Sequence, residues 1–240
     1  MKKLFILSLL FIFITSCKNN IETPEAVSVN ETIETAPETT PEKEVCKNEA
    51  IFGDTTICLP EIEGIIDGYK NPKIKAHANQ FADDQNIILA YYLTNETYEK
   101  ADDIENTSYD NYYKVYAANA ARNYNMTMSE LNEMMKMMTG GFLDKTMEDV
   151  NKTLDNNIQL GQPILIDRYS TNSNSSSLVI LMDVETAENS KTLAVTINAL
   201  RIKNRLVFMA HYLNYKDEKT FKKLKENTTT FINSFIETNY

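Results

Sequence analysis

The order of apolar segments predicts an α+β domain, with an antiparallel sheet that ends in a four-stranded meander and is covered by helices. Three observations carry this. Residues 163–169, 178–184, 192–202 and 206–212 read as consecutive strands. Residues 217–236 hold Phe221, Leu224, Phe231, Ile232, Phe235 and Ile236 at helical spacing. Earlier, residues 86–93 are an apolar run of strand length bounded by polar residues. Strands that follow one another with short links pair antiparallel, and a long amphipathic helix must lay its apolar stripe on a sheet.

Each element has its own reason. In 192–202, Leu193, Val195, Ile197 and Ala199 alternate with Ala194, Thr196 and Asn198, the period-two pattern of a strand with one buried face. Lys203-Asn204 reads as a tight turn, and residues 171–177, with their serine run, as an exposed hairpin loop. The closing helix contains Thr228-Thr229-Thr230, which lowers intrinsic propensity, so packing has to supply most of its stability. Residues 111–118 read as a further strand. Thr127-Met128-Ser129-Glu130 has the form of a capping box and opens a helix through Met138, which Gly140-Gly141 would stop. Thr146 is placed to cap another helix with Val150 and Leu154 turned inward. Helices on both faces of the sheet make an α/β/α sandwich.

The chain ahead of this domain reads as targeting and tether. Met1-Lys2-Lys3 is a positive start, and residues 4–14 are apolar except for Ser8. A helical span needs roughly 20 apolar residues, so this run fits a secretory signal peptide. Ile14-Thr15-Ser16-Cys17 has the pattern of a bacterial lipobox, with residues 1–16 removed and Cys17 lipidated. The acyl chains of such a cysteine would hold the protein on a membrane unaided. Residues 17–45 carry Pro24, Pro37 and Pro41 among Glu and Thr, and read as a disordered tether spanning roughly 30 Å as a flexible coil. Lys18 follows the anchor, so the Asp that retains some lipoproteins in an inner membrane is absent, which favours an outer membrane. Residues 46–240 read as a single domain.

Of three cysteines, lipidation of Cys17 leaves Cys46 and Cys58, which flank a Gly53-Asp54 hairpin turn. In an oxidising compartment they pair as a disulfide. The formal net charge of −10 argues against nucleic acid as a partner.

The order of strand Ile87-Ile88-Leu89-Ala90-Tyr91-Tyr92-Leu93, meander and closing helix resembles the PsbP-like superfamily over residues 49–239. That superfamily includes the extrinsic P subunit of photosystem II, a Ran-binding nuclear import factor and bacterial envelope lipoproteins. The resemblance implies a non-enzymatic binding or assembly domain that docks onto other proteins, and it transfers no functional residue.

Chemistry is thinly represented. There is no GxSxG, HExxH, P-loop or GxGxxG pattern, and the chain has only six glycines, so no enzyme is expected and no cofactor. His211 reads as a satisfied sheet residue and His77 as a surface helix or loop residue. Asp83-Asp84 and Asp102-Asp103 lack the regular oxygen spacing that calcium requires. The methionines Met126, Met128, Met134, Met135, Met137 and Met138 are soft donors that suit Cu(I), and Met134, Met135 and Met138 are the candidate ligands. Core packing competes with that reading, because Met128, Leu131, Met135 and Met138 share one helical face while Met134 and Met137 fall off it. In Tyr91-Tyr92 and Tyr112-Tyr113 the two rings point to opposite faces, so at most one of each pair is expected to be exposed. The expected function is a lipid-anchored envelope module docking on another envelope protein; the alternative is a small-ligand or copper carrier. Docking predicts an exposed apolar patch and no deep polar pocket.

Overall fold

A computed structural model describes residues 46–80, 85–106, 109–137, 158–186 and 190–240, all within one compact unit. The lipobox, the tether, Asp83-Asp84, Met138, Gly140-Gly141 and the Thr146 helix lie outside the described residues.

The first element is the hairpin of β1 (Glu49–Phe52) and β2 (Thr55–Cys58). Gly53 turns it at φ +65°, and a Cβ there would collide with the carbonyl oxygen of Arg122. Only glycine satisfies both conditions. Cys46 and Cys58 are joined in a disulfide at the base of the hairpin. The buried Asn239 side chain then ties it to the C-terminus, accepting from the Cys58 N–H at 2.9 Å and donating to the Cys58 carbonyl at 2.8 Å.

Among the described residues the main sheet has eight strands: β3 (Ile65–Asp67), β4 (Asn86–Thr94), β5 (Asn111–Ala118), β6 (Ile158–Leu160), β7 (Ile164–Tyr169), β8 (Ser175–Thr186), β9 (Ser190–Ile202) and β10 (Arg205–Asn214). Their spatial order is β3-β4-β5-β10-β9-β8, with β6 and β7 both paired to β8. Strands β7 to β10 form the expected antiparallel meander. The β9–β10 turn places Lys203 at φ 47° and Asn204 at φ 63°, the left-handed pair that two-residue hairpins favour. Strand β10 then pairs with β5, which joins the two halves of the chain in one sheet.

Helices cover both faces, as expected for an α/β/α sandwich. On one face lie α1 (Pro72–Gln80) and α3 (Met128–Met137), the latter inserting Leu131 and Met135 among Leu178, Ile180, Val195, Phe208 and Tyr212. The Thr127 capping box is present: Glu130 Oε2 accepts from the Thr127 N–H at 2.8 Å, and Thr127 Oγ1 from the Glu130 N–H at 3.3 Å. On the other face lies α4 (Glu218–Glu237), capped by Asp217 and Thr220, with Leu224, Phe231, Ile232 and Phe235 buried. A short α2 (Asn95–Glu99) follows β4 directly.

Two expectations are corrected. Strand β9 has two buried faces, because Thr196 and Asn198 are fully enclosed beneath α4. The serine run belongs largely to β8: Ser175 and Ser177 are buried, and the Ser175 hydroxyl accepts from the N–H groups of Thr171 and Asn172 to close the loop. The tyrosine pairs are as expected, with at most one ring of each outside: Tyr91, Tyr92 and Tyr113 are buried and Tyr112 is half-buried, since each side of the sheet has a helical cover.

Candidate docking surface

The residues singled out for chemistry are mostly absorbed by the core. His211 is fully buried; its Nδ1 lies 2.9 Å from Thr228 Oγ1 and its Nε2 2.8 Å from Asn111 Oδ1. The acceptor on Asn111 assigns the proton to Nε2, so Nδ1 accepts from the Thr228 hydroxyl. Thr228 in turn lies 3.1 Å from Thr196 Oγ1, which accepts from Asn198 Nδ2 at 3.0 Å. The imidazole stacks on Tyr113 with centroids 4.0 Å apart. Burial pushes its pKa down to about 3, so the ring is neutral and held in place. A base without solvent or substrate access does no acid–base work, and the expectation of a satisfied sheet histidine stands.

His77 lies half-buried on α1 and stacks on Tyr109 with centroids 5.2 Å apart. Tyr109 meets Tyr112, which stacks on Tyr212 at 4.5 Å, so these rings form one aromatic cluster on the α1 side. Burial raises the hydroxyl pKa of Tyr91, Tyr112 and Tyr212. Asp102 is an exposed partner of Lys73 at 2.6 Å. No group of three or more His, Cys, Asp or Glu side chains able to hold a metal is found among the described residues.

Of the methionines, Met126 and Met135 are core residues and Met137 is 66% exposed. Met134 packs against the α3 cluster rather than standing off it, because its flexible thioether reaches back to the apolar face. Thus Met134 and Met135 are both engaged in packing.

Exposed apolar side chains also stand elsewhere among the described residues, singly at Ile51 and as a pair where β7 runs beside the N-terminal half of α4. Ile164 is 60% exposed and Ile166 43%. Among the described residues β7 pairs only with β8, so its outer edge is open. A bulge between Leu165 and Asp167 leaves Ile166 without a register partner. On either side of it, Leu165 packs toward the α3 cluster and Tyr169 toward the α4 cluster, while Ile166 is turned outward. A groove follows, lined by Ile166, Val179 and Phe221, with Asp167, Lys222, Lys225 and Glu226 along it. Lys225 bonds Asp167 at 2.6 Å and sits 5.0 Å from the Tyr169 ring centre. That ammonium bond, aided by the Arg168 N–H, lowers the Asp167 pKa.

The strand at β7 is legible in sequence, but its exposure is not. Ile164-Leu165-Ile166 reads like the apolar run of β4, whose successive residues are buried on both faces, so nothing local marks this strand as exposed.

No family model matches the chain, and no curated protein matches it. Among solved structures, a point mutant of the protein Mog1 is similar, at 9% identity over 80% of this chain and 88% of that one, with a TM-score of 0.32. The Ran-binding protein Mog1p of Saccharomyces cerevisiae is similar at 8% identity over 76% of this chain and 82% of that one, with a TM-score of 0.30. Likenesses at these scores carry no argument, and the α+β fold stated above rests on this chain's own elements.

Proposed function

We propose that this chain is an envelope lipoprotein, lipidated at Cys17 and held on a membrane, whose folded part docks onto another envelope protein without catalysing a reaction. One observation carries the docking reading: large apolar side chains stand exposed at Ile164 and Ile166 on an open sheet edge, while the buried titratable centre at His211 is occupied by internal hydrogen bonds. Exposed apolar surface beside a groove is the usual mark of an interaction site. The lipobox and the tether supply the anchoring part, and an outer membrane is the favoured location.

In-cell crosslinking of the tagged mature lipoprotein, followed by mass spectrometry, tests the docking reading. One abundant, reproducible envelope protein is the expected product; a blank from a folded, anchored bait contradicts it. Anchoring has its own check. A Cys17→Ala chain is expected to leave the membrane fraction, and continued attachment would overturn that part.

A further inference from the structure

Lys216 stands just ahead of α4, and the first turns of the helix hold Lys219, Lys222, Lys223 and Lys225, in a chain whose formal net charge is −10. Helix stability does not account for this placement. Cations near a helix N-terminus oppose the macrodipole, and α4 has no basic residue in its last turn, where one would help. Local pairing accounts for only part of it. Lys225 is held by Asp167, and Lys222 lies 3.8 Å from Glu226 in the weaker Lys-before-Glu order. Lys216, Lys219, Lys222 and Lys223 are exposed. Of these, Lys222 lines the groove together with Phe221 and Ile166, while Lys219 and Lys223 lie on the same stretch of helix outside its lining.

Resting on the docking reading above, we infer that this groove receives an acidic segment of a partner protein, with an apolar side chain seated between Ile166 and Phe221 and carboxylates facing the α4 lysines. The bulge at Ile166 disfavours simple addition of a strand to the β7 edge, so side chains rather than a backbone ladder supply the contacts. Opposite charge steers the encounter and the apolar seat slows release.

The test uses the full mature chain and two fluorescein-labelled peptides of about eight residues, one alternating Glu with Ile and the other Lys with Ile. In anisotropy titrations the acidic peptide is expected to bind at least ~10-fold tighter, less so as salt rises. The triple change Lys219→Glu, Lys222→Glu and Lys223→Glu is expected to remove that preference while the chain stays folded, since acidic residues suit the start of a helix. Equal binding of both peptides, or an unchanged preference in the triple variant, overturns the inference. So does binding to vesicles of anionic phospholipid in place of the peptide, which would assign the lysines to a lipid surface. If the triple variant still captures the wild-type partner in cells, docking stands and the acidic occupant falls. A wild-type chain that captures nothing removes the docking reading itself.

Discussion

Two stretches of α4 face the same side of the sheet and do opposite things. Near its middle, Thr228 is fully buried and joins Thr196, Asn198 and His211 in a chain of hydrogen bonds ending on Asn111. Near its start, Phe221 is half-buried beside β7, where Ile164 and Ile166 stand in solvent and lysines follow one another along the helix. Polar groups are inside in the first region and apolar groups outside in the second. The buried polar chain has partners within the molecule, so it needs nothing further and serves the fold. The exposed apolar edge has no strand partner among the described residues, so covering it would improve its free energy.

The largest effect is expected at the buried centre. His211→Ala removes a stacked ring and leaves Thr228 and Asn111 without their partner in a closed site, which should cost roughly 3–5 kcal/mol in urea unfolding. A loss under ~1 kcal/mol would mean that the hydrogen-bond chain does not hold α4 on the sheet. Next comes the hairpin on the same face. Reduction of the Cys46–Cys58 bridge opens a short loop and should lower stability by about 3 kcal/mol, read from the shift in urea midpoint. Gly53→Ala meets both a left-handed backbone and the Arg122 carbonyl, and should cost about 2 kcal/mol by the same measurement.

The buried histidine also makes stability depend on pH. The unfolded chain protonates His211 below ~6.5, whereas the folded chain refuses that proton until about pH 3. The unfolded state therefore binds more protons in this window, and stability falls as pH drops from 6.5 toward 3, by at most ~1.4 kcal/mol per pH unit from this residue. Asp54 and Asp167 act in the same direction: cation partners lower their pKa values, so their contribution is present above the unfolded carboxylate range and lost as pH falls through the folded pKa. Urea unfolding at pH 4.5 and 7 of the wild type and of His211→Asn isolates the histidine part. Equal pH slopes in the two proteins would contradict it.

The elements whose stability comes from local pattern are readable. The meander, the Thr127 capping box and the Asp217-capped final helix all write their signals into adjacent residues. What stays unread in the sequence depends on distant contacts. Strand β3, helices α1 and α2 and strand β6 are short or weakly patterned, and they exist because β4 and β8 offer edges to pair or pack against. The alternation in β9 suggests a solvated polar face because nothing local announces that Thr196 will meet Thr228 across the interface. For the same reason Thr228 reads only as a poor helix former. At the candidate site, Phe221 belongs by pattern to the helix stripe and Ile166 to a strand, but their meeting across the groove joins residues far apart in sequence.

The measurement that bears most directly on the contrast is a paired one on Ile164→Asp/Ile166→Asp in the full mature lipoprotein. Ile164 is 60% exposed and Ile166 43%, so unfolding free energy should fall by no more than about 1 kcal/mol per site. Capture of the envelope partner by in-cell crosslinking should be lost. Capture that persists at the wild-type level in a folded double variant would contradict the account and move the docking face away from β7.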